Sequence, residues 1–161
     1  MERQILVVDT DSGARATLCG VLARDGHVAL EAADGETGYA MAREQVLDLV
    51  IADIYLPAGG WPCVVRAIKR DPLLRALPLL VYTARATPED VRWAVSGGCD
   101  GLLAKPAGAD EISREVGRLL ELRTGASSAE GMHNPGVGAP RTSRTNPGGE
   151  LSEGDERAIL A

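Results

Sequence analysis

The sequence predicts an open α/β sheet of five parallel strands with helices on both faces. Three observations predict it. Short apolar runs alternate with helical periodicity from Gln4 to about Leu122. The runs at 49–52 and 79–82 are continuously apolar, as buried parallel strands require. Gly, Pro and Asp punctuate nearly every boundary between the two patterns. Short strand–helix alternation of this kind calls for right-handed crossovers and a parallel sheet.

The first strand is expected over Gln4–Val8. A helix follows over about Ser12–Arg24, where Ala14, Leu18, Val21 and Leu22 make one apolar stripe and Asp25-Gly26 stops it. A less apolar strand is expected over His27–Glu31. Asp34 then offers an N-cap to a helix over Glu36–Gln45. The third strand is expected over Asp48–Ala52. Leu56-Pro57-Ala58-Gly59-Gly60 reads as loop, and a third helix as Pro62–Arg70 with Val64, Val65 and Ile68 inward. Pro78 leads into the fourth strand. Thr87 and Pro88 suit the N-cap and N1 positions of a helix that Gly97-Gly98 ends. A short fifth strand, Gly101–Ala104, precedes a last helix starting near Asp110, with Ile112, Val116, Leu119 and Leu120 inward.

Domain organisation follows from composition. Residues 1–123 read as one domain. From Thr124 onward the chain holds seven Gly and three Pro, so it is expected to lack enough apolar surface to offset its conformational entropy. Residues 124–161 are therefore expected to be a disordered tail, with a frayed or docking helix over Glu150–Ala161. With no Phe at all, the core must be aliphatic. A net charge of −6 argues against binding driven by nucleic-acid phosphates. Cys19, Cys63 and Cys99 are too few and too scattered for a disulfide framework or a zinc site. No run is long enough to span a bilayer and none reads as a signal peptide, so a cytoplasmic protein is expected.

Strand ends on one edge of such a sheet are where ligands bind. Here they carry Asp9 and Asp11, Asp53, Thr83 and Lys105. Like charges gathered in one crevice need a cation, and Mg²⁺ suits one or two carboxylates with water and a phosphate. Lys105 adds a fixed positive charge and Thr83 a hydroxyl donor. The set suits phosphoryl transfer to a carboxylate, a reaction run by positioning and charge neutralisation.

Ile5-Leu6-Val7-Val8-Asp9, Asp53-Ile54-Tyr55-Leu56-Pro57, Tyr82-Thr83-Ala84 and Leu103-Ala104-Lys105-Pro106 occur in the order and spacing of a known family. Ala33-Asp34-Gly35 and Gly97-Gly98-Cys99-Asp100-Gly101 fit it too. Over about Gln4–Leu122 the chain resembles a response-regulator receiver domain of two-component signalling. The resemblance implies a flavodoxin-like fold with strand order 2-1-3-4-5. It implies Asp53 as phosphoacceptor, loaded by a sensor histidine kinase or phosphotransfer protein. It further implies Asp9, Asp53 and the Tyr55 backbone carbonyl as Mg²⁺ ligands, with Thr83 and Lys105 holding the phosphoryl group. The protein is then expected to be a stand-alone regulator and not an enzyme. Its expected downstream partner is a protein, met through the fourth helix, fifth strand and fifth helix with Arg92, Trp93, Asp110, Glu111 and Arg114; neither nucleic acid nor membrane is expected.

Two departures from the family shape the expectations. Thr10 stands where the second acid of an adjacent pair is usual, so Mg²⁺ affinity is expected to be weakened; Asp11 either substitutes as a ligand or caps the first helix. Leu102 stands where the family often has a Tyr or Phe switch, so any switch must use backbone, loops or another side chain, with Trp93 and Tyr82 as candidates. Two other readings remain open. One is a phosphorylation-independent receiver-like binding module. The other is a phosphatase of the haloacid-dehalogenase kind, using Asp9 and Asp11 with Thr83 and Lys105 in that family's order.

Overall fold

A computed structural model describes residues 1–55 and 64–129, with side chains through residue 125. The elements are β1 (Gln4–Val8), α1 (Ser12–Arg24), β2 (Val28–Ala32), α2 (Gly35–Glu44), β3 (Leu49–Ala52), α3 (Val64–Arg70), β4 (Leu79–Thr83), α4 (Pro88–Ser96), β5 (Gly101–Ala104) and α5 (Ala109–Ala129). The strands form one sheet in the order β2-β1-β3-β4-β5, every pair parallel. This is the predicted flavodoxin-like arrangement.

Alternation within each apolar run supplies two cores. Leu6, Val8, Val50, Ala52, Leu79 and Val81 pack against Ala42 of α2, Val64, Val65 and Ile68 of α3, and Ala94 of α4. Ile5, Val7, Leu49, Ile51, Leu80 and Tyr82 face the other way, against Leu18 and Leu22 of α1 and Ile112, Val116 and Leu119 of α5. Period-two side chains on strands covered on both faces leave no polar face, hence the unbroken runs.

The caps follow the expected chemistry. Asp34 accepts a hydrogen bond from the Thr37 backbone N–H at 2.7 Å. Thr87 and Asp90 form a reciprocal capping box at the start of α4, with Pro88 at its first position. Gly26 has φ 81°, a left-handed turn that glycine adopts without the Cβ penalty, where α1 gives way to β2.

Some boundaries differ from the sequence reading. β2 runs Val28–Ala32 and β3 begins at Leu49, each one residue later than expected. Asp48 instead turns its carboxylate back, accepting from the Gln4 N–H at 3.0 Å and pairing with Arg3 at 3.1 Å. α5 continues to Ala129, beyond the boundary at Arg123 that composition suggested. Residues 124–129 contain no Pro, and the Thr124 hydroxyl donates to the Glu121 carbonyl at 2.8 Å, which suits continuation of the helix. The expectations for Leu56–Cys63, including Gly59-Gly60 and a third helix beginning at Pro62, lie outside the described residues; so do those for the chain beyond Ala129. Cys19 and Cys99 are free and half-buried, and burial pushes both thiols upward in pKa.

Candidate functional site

Register brings the site together. Val8 pairs with Ala52 across β1 and β3, so the next residues, Asp9 and Asp53, leave adjacent strands side by side. Thr83 pairs with Ala104 across β4 and β5, which sets Lys105 beside them. Backbone bonds extend this order past the strands: Asp9 N–H donates to the Ala32 carbonyl (3.1 Å), Asp53 N–H to Val8 (3.0 Å) and Lys105 N–H to Thr83 (2.8 Å).

The Lys105 ammonium donates to Asp9 Oδ2 at 2.5 Å and to Asp53 Oδ2 at 2.8 Å. Asp9 is 2% exposed and Asp53 8%. Burial alone pushes the Lys105 pKa down, but its hydrogen bonds to Asp53 and Asp9, with the charge of both carboxylates, hold it above the ordinary lysine value. One ammonium against two carboxylates leaves a net negative pocket.

The remaining carboxylate oxygens are held by backbone. Asp9 Oδ1 accepts from the Asp11 N–H at 2.9 Å, and Asp53 Oδ1 accepts from the Tyr55 N–H at 3.0 Å. Thr83 is fully buried, and its hydroxyl oxygen accepts from the Arg85 N–H at 3.2 Å. On the rim, Arg15 donates to the Asp9 carbonyl at 2.6 Å and to Glu31 at 3.2 Å.

Asp11 is the cap of α1. Its Oδ1 accepts from Gly13 N–H at 2.8 Å and Ala14 N–H at 3.3 Å, and those bonds, Gly13 first, lower its pKa. That oxygen is committed to the helix. Leu102, opposite Val81 on β5, is half-buried against the core on the α2–α4 side. Tyr82 is buried beneath Lys105, the ammonium 5.4 Å from its ring centre. Trp93 lies under the Arg66 guanidinium at 4.9 Å.

Among the described residues, no group of three or more His, Cys, Asp and Glu is gathered as a metal cage. The pocket offers two buried carboxylates, each with lone pairs beyond its bond to Lys105. Such a hard, sparse oxygen set fits Mg²⁺, which completes its shell with water and phosphate. No helix among the described residues is long and apolar enough to cross a membrane.

A family profile, the response regulator receiver domain, matches residues 5–117. The chain belongs to the response regulator receiver family. Receiver domains are signalling modules, and they bind Mg²⁺ in their active site. Protein PilH of Pseudomonas aeruginosa is 27% identical over 117 residues, 73% of this chain and 97% of PilH. Sensor histidine kinase AruS of the same species is 33% identical over 118 residues, 72% of this chain but 12% of AruS. The chain thus spans only a small part of some curated relatives it matches. Among solved structures, chemotaxis protein CheY4 of Vibrio cholerae superposes with TM-score 0.68 at 25% identity, covering 74% of this chain and 99% of CheY4. The receiver domain of kinase PA1611 from Pseudomonas aeruginosa, solved with a magnesium ion in its active-site cleft, gives 0.69 at 25% identity over 75% of this chain and 99% of that domain.

The sequence reading missed a second set of residues. The Tyr55 hydroxyl donates to Asp90 Oδ1, and the Arg85 guanidinium lies 4.4 Å over the Tyr55 ring. The signal was available as an equal offset: Tyr55 stands two residues after Asp53, and Arg85 two after Thr83.

Proposed function

We propose that this receiver takes a phosphoryl group on Asp53 from a phosphohistidine of a sensor kinase or phosphotransfer protein, and signals by contact with another protein. The observation that carries the reading is the Lys105 ammonium bridging Asp9 and Asp53 at the sheet edge. An Asp53 oxygen attacks phosphorus, the donor P–N bond breaks, and its electron pair returns to the imidazole nitrogen. An aspartyl phosphate results. Lys105 is held charged and near enough to pair with the added negative charge. Thr83 exchanges its contact with Arg85 N–H for a hydrogen bond to a phosphoryl oxygen. Magnesium, held by Asp9, Asp53 and the Tyr55 carbonyl, would neutralise phosphoryl oxygens when bound.

A cytoplasmic setting accords with a kinase donor. The surface of α4, β5 and α5 is the proposed partner surface, with Arg92, Glu111 and Arg114 exposed and Trp93 half-exposed; Asp110, also exposed, lies 3.6 Å from Arg24 of α1. Thr10 and Leu102 favour one rival, a phosphorylation-independent scaffold. Asp11 Oδ1 accepting from the first turn of α1 favours a capping role over the acid of the phosphatase reading. Acetyl phosphate with Mg²⁺, read by intact mass, decides: one phosphoryl mass gained by the wild type and lost in Asp53→Asn supports the acceptor. No gain, with partner capture unchanged in Asp53→Asn, leaves the scaffold.

A further inference from the structure

We propose that Tyr55 and Asp90 form the connection through which the state of Asp53 reaches α4, replacing the aromatic switch that Leu102 cannot provide. The inference rests on phosphorylation of Asp53 as proposed above.

The connection has two ends. At the site, the Tyr55 N–H donates to Asp53 Oδ1 at 3.0 Å, and the Arg85 N–H donates to Thr83 Oγ1 at 3.2 Å. Both backbone groups are therefore anchored to residues that change partners in the reaction. At the helix, the Tyr55 hydroxyl donates to Asp90 Oδ1, while Asp90 Oδ2 accepts from the Thr87 N–H (3.2 Å) and hydroxyl (2.7 Å). Asp90 is the third residue of α4 and half of its capping box. Arg85, stacked on the Tyr55 ring, ties the two loops to each other. Tyr55 itself is 40% exposed, so burial does not hold it there; its position depends on these polar contacts.

Phosphorylation acts on both anchors at once. Converting the Asp53 carboxylate to an acyl phosphate removes its formal charge and weakens it as an acceptor for Tyr55 N–H. Thr83, turning to the phosphoryl group, releases Arg85 N–H. The Tyr55–Arg85 pair then shifts, the bond to Asp90 is lost, and the first turn of α4 loosens. Tyr55, Arg85, Asp90 and Trp93 border one groove of about 770 Å³, so the change appears on a surface that a partner can read. Leu102 has no aromatic ring to turn inward with the threonine.

Hydrogen exchange of the α4 amides, at phosphoryl occupancy matched by intact mass, tests the connection. Phosphorylated wild type should exchange at Glu89–Arg92 about fivefold faster than unmodified protein, the scale of one hydrogen bond. Asp90→Ala should start from the faster rate and not respond to phosphorylation. Tyr55→Phe, which keeps the ring and loses only the hydroxyl, should behave the same way. Thr87→Ala frays the cap but leaves the connection, so its α4 should start faster and still respond. An α4 that responds in Asp90→Ala as in wild type overturns the proposal, as does wild-type α4 unmoved at full occupancy. Failure of the phosphoacceptor reading shows separately, as no mass gain in the wild type, and removes the connection with it.

Discussion

Gly38 of α2 stands so close to Val8 that a Cβ there would lie 2.7 Å from Val8 Cγ2. Val8 is the last residue of β1 and immediately precedes Asp9. The absent side chain lets α2 seat against the strand end that carries the pocket. Val8 is branched at Cβ and fully buried, so it has little room to yield. Gly38→Ala should destabilise the fold by about 1–3 kcal/mol in urea titration, as overpacking does, although Ala favours helix. A more stable Gly38→Ala would show that Val8 repacks freely.

Lys105 should confer an alkaline limb on stability. Its folded pKa lies above the ordinary 10.5, so its stabilisation is complete below that value and is lost as pH rises through the folded pKa. The urea midpoint of wild type should fall over this range more steeply than that of Lys105→Met. Parallel profiles would mean that the ammonium gains nothing from Asp9 and Asp53.

Thr10→Asp should tighten Mg²⁺ binding by about tenfold, the lower end of what changes around a metal's ligands produce. Isothermal calorimetry measures it directly. An unchanged affinity would mean that the two buried carboxylates already complete the protein's share of the site.

Asp11→Asn should leave Mg²⁺ affinity within about twofold, because Asn retains an oxygen to cap α1. Its signature lies in acid. The Asp11 pKa is lowered by Gly13 and Ala14 N–H, so its cap contributes above the ordinary value of 3.8 and is lost as pH falls through the depressed pKa. The neutral variant should lack that component of acid unfolding. A large loss of Mg²⁺ affinity would place Asp11 among the ligands instead.

Much of this was legible in residue order. Leu49–Ala52 and Leu79–Thr83 announce strands covered on both faces, and Thr87-Pro88 announces a helix start. The α5 boundary was less legible: composition past Thr124 resembles a tail, yet a helix already packed through Leu119 and Leu120 continues to Ala129. Asp11 was ambiguous because one residue type serves both as ligand and as cap, and only the direction of its carboxylate separates the two.

Order along the chain was enough to determine five strand–helix units, the parallel sheet and a carboxylate, hydroxyl and ammonium at its edge. Those depend on local periodicity and on turn residues, which are written in consecutive positions. Tertiary structure alone decided that Lys105 contacts both Asp9 and Asp53, that Asp11 serves α1, and that Tyr55 reaches Asp90. Each of these depends on which oxygen faces which donor after distant segments pack, and that is set by strand register and rotamer rather than by spacing in the chain.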